Sequence, residues 1–316
     1  MPLDDRWERL RARAGRALGS QRVSEAVIKV KAIIGPANIP DSEPLAQSAL
    51  DKMHRGEVPS AEELTALEIV VRLLRPVVLS RDGALDDLPD PGGHELYPQQ
   101  LKDAWSDFQK RVRPFVPSIG RIENRDNVHI GTGFLVSDDR IATNRHVLAA
   151  LTFGSEALDA GSARIVFKEE HGLTNSPSDV VAILAVAAVH PKLDMVLLSV
   201  PMQSRRALTI DETPVTEGMQ VAAIGYPADD PVNNPLFLAG VFNGIFGKRR
   251  AALGEVLDGT ESPTLYHDCS TTQGNSGSPI FSLATGNVAG IHRAGFFMYR
   301  NEAVVSDELD KFITGA

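Results

Sequence analysis

The stretch Cys269-Ser-Thr-Thr-Gln-Gly-Asn-Ser-Gly-Ser-Pro-Ile-Phe281 decides how the rest of the chain is interpreted. It places the hydroxyl of Ser276 on a tight turn, with Gly274 before it and Gly277 after it, ahead of a short apolar strand. Glycine at these places lets the backbone take angles that other residues resist, and it lets another molecule approach closely. Small-residue turns between strands are common, so this turn alone is weak evidence for chemistry.

Two further stretches carry the side chains that would turn Ser276 into a nucleophile. In the first, the strands 131–136 and 141–143 deliver His146 into an apolar run. In the second, Asp194 precedes an apolar strand, where an unpaired buried carboxylate would be costly and an imidazole N–H would be a suitable partner. A nucleophile, a base and a group that orients the base are the minimum set for acyl transfer by a serine.

These residues have distinct expected roles. Ser276 is the predicted nucleophile, and His146 removes its proton because an imidazole titrates near neutral pH. Asp194 fixes the imidazole tautomer and stabilises its charged form. The backbone N–H groups of Gly274 and Ser276 are the predicted oxyanion hole, where a single donor is often worth about 10²–10³ in rate.

The three stretches, in this order, resemble the motifs of the chymotrypsin-fold (trypsin-like) serine peptidases, from about Ser118 to the C-terminus. The matching segments are Thr-Asn-Arg-His-Val around His146, Leu-Asp-Met-Val-Leu-Leu around Asp194 and Gly-Asn-Ser-Gly-Ser-Pro around Ser276. The resemblance implies an all-β double antiparallel barrel. It also implies an endopeptidase that acts on protein or peptide substrates without a cofactor or a metal.

A finer resemblance is to the glutamyl endopeptidases, whose serine region is similar to the stretch that begins at Ser270 and which also carry a Gly-Ile-His segment like the one ending at His292. By this resemblance, Ser270 and Thr271 line the primary specificity pocket and His292 lies across from them. Trypsin has an aspartate at the position of Ser270, so Lys or Arg is a poor fit here. A hydroxyl and an imidazole can donate hydrogen bonds to a carboxylate, which favours cleavage after Glu or Asp.

Several alternatives stay open at this stage. Arg293 departs from the glutamyl pattern and either reinforces anion binding or points to solvent, and His292 is otherwise an ordinary half-buried strand histidine. The protein is alternatively a catalytically silent, peptidase-like interaction protein, or an active peptidase with a small or apolar primary specificity. Labelling with a serine-reactive fluorophosphonate would separate a silent protein from an active one.

The chain divides into three predicted regions. Residues 1–79 have helical periodicity, which predicts four short amphipathic helices that form a regulatory or interaction domain. Residues 80–117 combine a linker rich in Pro, Gly and Asp at 80–96 with a helix that braces the barrel. Residues 118–316 have strand periodicity and form the peptidase domain, and the predicted strands include Val180–Val189 and Leu236–Phe242.

The N-terminal helices are expected to recruit a protein partner or to control access to the active site, without completing that site. Similar small helical modules precede trypsin-like domains in bacterial proteins. The linker at 80–96 supports this expectation, because the predicted acyl-transfer residues all lie between His146 and Ser276.

Composition restricts the remaining possibilities. With 316 residues, 43% hydrophobic and 23% charged, the chain has an ordinary globular composition, and its net charge of −9 argues against nucleic-acid binding. Cys269 is the only cysteine, so no intramolecular disulfide can form. The first ten residues lack the apolar core of a secretory signal, and no apolar run approaches the roughly 18 residues of a membrane span. A cytoplasmic location without membrane contact is therefore expected.

Overall fold

The computed structural model describes residues 3–19, 22–34, 43–89, 97–159, 161–233, 235–257, 260–296 and 300–315. Eight α-helices lie within these ranges: α1 Leu3–Leu18, α2 Val23–Ile34, α3 Glu43–His54, α4 Ala61–Leu73, α5 Gln99–Val112, α6 Arg145–Leu151, α7 Pro235–Phe242 and α8 Ser306–Thr314. None of the helices in these ranges has the length and apolar character that crossing a bilayer requires.

Fifteen strands lie within the same ranges. They are β1 Val77–Arg81, β2 Ala84–Leu85, β3 Ile119–Asn124, β4 His129–Leu135, β5 Arg140–Thr143, β6 Ala163–Val166, β7 Val180–Ala182, β8 Ala185–Val189, β9 Val196–Ser199, β10 Gln220–Gly225, β11 Arg250–Glu255, β12 Thr264–His267, β13 Pro279–Ser282, β14 Val288–Phe296 and β15 Arg300–Val305.

The four N-terminal helices share a hydrophobic core of their own. Apolar side chains at helical spacing face inward on each helix, and they include Leu10, Val27, Met53, Leu64 and Leu67. Helix α4 begins at a capping box, in which the Ser60 hydroxyl accepts from Glu63 N and the Glu63 carboxylate accepts from Ser60 N. Local sequence and tertiary packing therefore agree in this region.

The strands form two antiparallel sheets. The first has seven strands in the order β7-β6-β3-β4-β5-β9-β8, and the second has eight in the order β12-β15-β14-β13-β10-β11-β1-β2. The strand pairing described for each sheet leaves an open order with two edges. The double barrel expected from the sequence is thus present only in part, as two antiparallel sheets that enclose the main hydrophobic core.

The predicted boundary at residue 79 falls inside β1, which is part of the eight-stranded sheet. Val78 pairs with Ala251 of β11, and β2 continues the sheet beyond β1. The first part of the stretch predicted as a linker is therefore ordered sheet, while residues 90–96 lie outside the described ranges. Helix α5 packs Trp105, Phe108 and Val112 into the main core.

Two predicted strands differ from the structure. Leu236–Phe242, predicted as a strand, lies in helix α7, where Leu238 and Phe242 are buried and Val241 packs against the core of the N-terminal helices. A short, continuous apolar run does not by periodicity distinguish a buried strand from a buried helix. The single strand predicted over Val180–Val189 is divided into β7 and β8, which lie at opposite edges of the seven-stranded sheet.

Buried ion pairs join the N-terminal helices to the eight-stranded sheet. Arg13 of α1 places Nη2 2.9 Å from Asp268 Oδ2, directly after β12. Arg75, after α4, places Nη2 3.1 Å from Glu255 Oε2 at the end of β11. Buried ion pairs thus fix the helical region against the sheet that carries Ser276.

Candidate active site

Ser276 lies on the turn that connects β12 to β13, and two glycines give this turn its shape. Gly274 has φ +87° and Gly277 has φ +85°, a region that favours glycine. A Cβ atom would come within 2.4 Å of His129 Cε1 at Gly274 and within 2.1 Å of the Thr132 carbonyl oxygen at Gly277. The close approach of β4 therefore also requires glycine at both positions.

His146 lies in the first turn of α6 and contacts Asp194. Its ring Nδ1 is 2.6 Å from Asp194 Oδ2, and its backbone N–H donates to Asp194 Oδ1 at 3.0 Å. The Asn144 side chain holds the same segment, because its Nδ2 donates to the backbone carbonyl of Asp194 at 2.9 Å. An ionised carboxylate only accepts hydrogen bonds, so Nδ1 carries a proton and Nε2 of the neutral ring is left as the basic atom.

Electrostatics favour the ionised form of Asp194. Burial works against that form, but the hydrogen bonds from the ring and the backbone of His146 lower the pKa of the Asp194 carboxyl below its usual value. Asp194 is therefore an anion at neutral pH, as required of a group that stabilises an imidazolium.

Ser276 and His146 are not joined by a hydrogen bond in the described part of the chain. Such bonds are often long in a ligand-free enzyme and shorten when substrate binds. Within the same described ranges, the backbone N–H groups of Gly274 and Ser276 donate to no protein acceptor. Neither donor is therefore used within the described protein.

A cavity of about 330 Å³ adjoins Ser276 and contains three of the four predicted pocket residues. Ser270, Thr271 and His292 all line it. The Ser270 hydroxyl is buried and has no hydrogen-bond partner among the described residues, so it is available to a ligand. Arg293 does not line the cavity, because its Nη2 lies 2.8 Å from Glu302 Oε2.

His292 is paired with a second buried imidazole. His267 Nε2 lies 3.2 Å from His292 Nδ1. Burial lowers the pKa of His267 to about 3. Burial, together with the imidazoles of His267 and His146, lowers the pKa of His292 well below its usual value. Both rings are neutral at neutral pH, so His292 brings hydrogen-bonding capacity to the cavity but no charge.

The profile of the trypsin-like peptidase domain matches residues 131–291, just over half of the chain. This chain belongs to the trypsin-like peptidase family. A search of curated proteins found no match. Among solved structures, the peptidase is similar to the Rv3671c protease from M. tuberculosis in its active form, at 21% identity over 65% of this chain and 82% of that chain, with a TM-score of 0.44. It is also similar to the serine endoprotease from Yersinia pestis, at 19% identity over 66% of this chain and 65% of that chain, with a TM-score of 0.49.

The trypsin-like peptidase also has cavity residues that the sequence did not indicate. Arg72 of α4 lines the cavity although it lies far from the family motifs in sequence, and Asp230 and Asn301 line it as well. Arg72 belongs to an ordinary amphipathic helix, so no local signal distinguishes it. The described ranges hold no group of three or more His, Cys, Asp or Glu side chains arranged for a metal ion.

Proposed function

We propose that this peptidase is a serine endopeptidase in which Ser276, His146 and Asp194 perform acyl transfer on protein substrates. The observation that carries the proposal is the contact of 2.6 Å between His146 Nδ1 and Asp194 Oδ2, in a chain whose glycine-flanked Ser276 borders a cavity. This contact gives the imidazole the tautomer that general-base catalysis needs.

The reaction would proceed in two steps. Ser276 Oγ attacks the carbonyl carbon of the scissile peptide bond, and its proton passes to His146 Nε2. The N–H groups of Gly274 and Ser276, which donate to no described protein acceptor, would donate to the resulting oxyanion. The C–N bond then breaks as the imidazolium returns the proton to the leaving amine. Water, activated by the same imidazole, hydrolyses the acyl-enzyme and restores Ser276.

We propose further that the primary specificity is for Glu, or for Asp, at the cleaved position. The unpaired hydroxyl of Ser270 supports this, as do the positions of Thr271 and His292 in the cavity beside Ser276. Hydroxyl and imidazole N–H groups donate to a carboxylate, whereas they offer no acceptor charge to pair with Lys or Arg.

The N-terminal helices are proposed to recruit or regulate the peptidase from a fixed position. The ion pair between Arg13 and Asp268 and the placement of Arg72 in the cavity wall support this role. A partner bound to these helices would act on the cavity through α4.

The test of the proposed activity uses the full chain, a fluorophosphonate probe and a mixed peptide library. The parent should be labelled and should cleave peptides, whereas Ser276→Ala should do neither and should retain the melting temperature of the parent. Mapping of the labelled peptide separates Ser276 from the buried Ser278 two residues later. Ser137→Ala, at a serine that bonds to Asp139 in a surface turn, is the matched control and should be labelled as the parent is. An unlabelled, inactive parent would refute the proposed activity.

A further inference from the structure

Arg72 is the one lysine or arginine among the described residues that line the cavity beside Ser276. It comes from the last turn of α4, in the N-terminal helical region, while the other described lining residues come from the region after residue 229. The cavity is therefore built jointly by the helical region and the peptidase sheet.

The guanidinium of Arg72 is buried and only partly paired. The residue is 4% exposed, and its Nε donates to Glu68 Oε1 at 2.9 Å. Its Nη2 is buried and has no hydrogen-bond partner in the described part of the chain. A buried charged donor left unpaired is costly, so such a group in a native structure calls for a ligand or another explanation.

Glu68, the ion-pair partner of Arg72, is shared with a second arginine. Arg13 Nη1 and Nη2 each donate to Glu68 at 2.9 Å. Glu68 therefore does not neutralise Arg72 alone, and an anion in the cavity would give Arg72 Nη2 a charged partner of its own.

The other hydrogen-bond donors at the cavity carry no positive charge. His292 and His267 are neutral at neutral pH because burial lowers the pKa of both rings. The Ser270 hydroxyl is unpaired but uncharged. These neutral groups favour a carboxylate only through charge-assisted hydrogen bonds, and a cation in the same cavity wall would add direct charge pairing to that preference.

We propose that Arg72 is the cationic anchor for the acidic side chain of the substrate, and hence that the N-terminal helical region completes the specificity pocket. This inference rests on the proposed function and adds to it a residue that the family motifs do not contain. The substrate carboxylate receives the free N–H of Arg72 Nη2 together with hydrogen bonds from Ser270 and His292. Arg72 contacts the substrate side chain and takes no part in the bond-breaking steps.

Asp230 is the group whose charge opposes this assignment, because this acidic residue also lines the cavity. Its Oδ1 accepts from Val232 N at 3.1 Å, and its Oδ2 accepts from Asn233 Nδ2 at 2.7 Å. Both oxygens are thus occupied within one loop, whereas Arg72 Nη2 is not. If Asp230 nevertheless set the charge of the pocket, the peptidase would prefer Lys or Arg at the cleaved position.

The first experiment compares Arg72→Met with Arg75→Met in the full chain. Both arginines are ion-paired in the same cluster, and the Arg75 side chain is only 11% exposed, but Arg75 does not line this cavity. On peptides that differ only in Glu or Gln at the cleaved position, Arg72→Met should lower kcat/KM for Glu by about 10- to 100-fold and for Gln by less than about threefold. Arg72→Lys should restore part of the loss, and Arg75→Met should leave the Glu-to-Gln ratio as in the parent.

A binding measurement makes the result independent of turnover. In a Ser276→Ala background, calorimetry with uncleaved Glu and Gln peptides should give at least tenfold tighter binding of the Glu peptide, and Arg72→Met should abolish that difference. An unchanged Glu-to-Gln ratio in Arg72→Met would overturn the role of Arg72 and leave the peptidase activity intact. A preference for Lys that Asp230→Asn removes would also overturn it. A parent that binds Glu selectively without cleaving would contradict the proposed activity and support the anchor.

Discussion

Arg13 is the side chain whose replacement best tests how the N-terminal helices are held on the peptidase. Its guanidinium donates to both carboxylate oxygens of Glu68 at 2.9 Å and to Asp268 Oδ2 at 2.9 Å. Its side chain is 8% exposed and that of Asp268 is 0% exposed. Burial alone would lower the pKa of Arg13, but the carboxylates of Glu68 and Asp268 raise it above its usual value. Arg13→Met removes the charge and keeps most of the volume.

The expected loss of stability follows from what the substitution leaves behind. Removing one partner of a buried ion pair costs about 3–5 kcal/mol, because the other charge stays buried. Arg75 still reaches Asp268 at 3.3 Å, and Arg72 still reaches Glu68 at 2.9 Å. Because of these remaining contacts, we expect the free energy of unfolding to fall by about 3 kcal/mol, the lower end of that range. For a chain of this length, that corresponds to a fall in the melting temperature of roughly 5 °C.

Urea denaturation followed by tryptophan fluorescence measures this loss, and Arg16→Met provides a matched control. Arg16 lies on the same helix and pairs with Glu255 at 2.7 Å, but its side chain is 46% exposed. The pair is screened on the Arg16 side, and buried Glu255 keeps Arg75 as a partner at 3.1 Å, so Arg16→Met should cost about 1 kcal/mol, less than Arg13→Met. The double variant Arg13→Met with Asp268→Asn should recover part of the loss. Equal costs for the two arginines would show that the buried cluster does not hold the helices in place.

Two further predictions concern the histidines. Burial lowers the pKa of His267 to about 3 and that of His129 to about 4, so the folded state binds fewer protons than the unfolded state. The stability that each neutral imidazole contributes is fully present above pH 6.5 and is lost as the pH falls. At pH 5, before most carboxylates titrate, the free energy of unfolding should be lower by about 2 kcal/mol per imidazole. Urea denaturation should show this slope, and His267→Gln should make it shallower; an unchanged slope would contradict the assignment. His292→Ala should lower kcat/KM for a Glu peptide about fivefold more than for a Phe peptide, as expected for one neutral hydrogen bond. Equal losses on the two peptides would make His292 a packing residue.

Local sequence signals predict much of the fold. The capping box at Ser60–Glu63 predicts the start of α4, and the structure contains both of its hydrogen bonds. The family motifs indicate a trypsin-like domain, and the match over residues 131–291 confirms that part of the prediction. Each signal is contained in a few consecutive residues. Their side chains and backbone angles therefore restrict the local structure before any tertiary contact forms.

Long-range contacts explain what the sequence did not reveal. Leu236–Phe242 is apolar throughout, and packing against the N-terminal helices decides that it is the helix α7. The local sequence does not distinguish strand β1 from the end of the helical region, because its pairing partner, β11, lies more than 160 residues later. Arg72 reaches the cavity for the same reason. Its position there depends on how α4 docks on the sheet, which no pattern within α4 encodes.

The docking of α4 also determines how regulation through the helices would have to work. If the helical region merely covered the cleft, deleting it would leave the pocket unchanged and would make the peptidase more active. Here the same region supplies Arg72 to the cavity and β1 to the eight-stranded sheet. A bound partner can shift the equilibrium between two conformations only by the difference in its affinity for them. A regulator bound to the helices would therefore act by shifting α4 and moving Arg72. Such a shift would alter the discrimination between Glu and Gln before it altered the chemistry at Ser276.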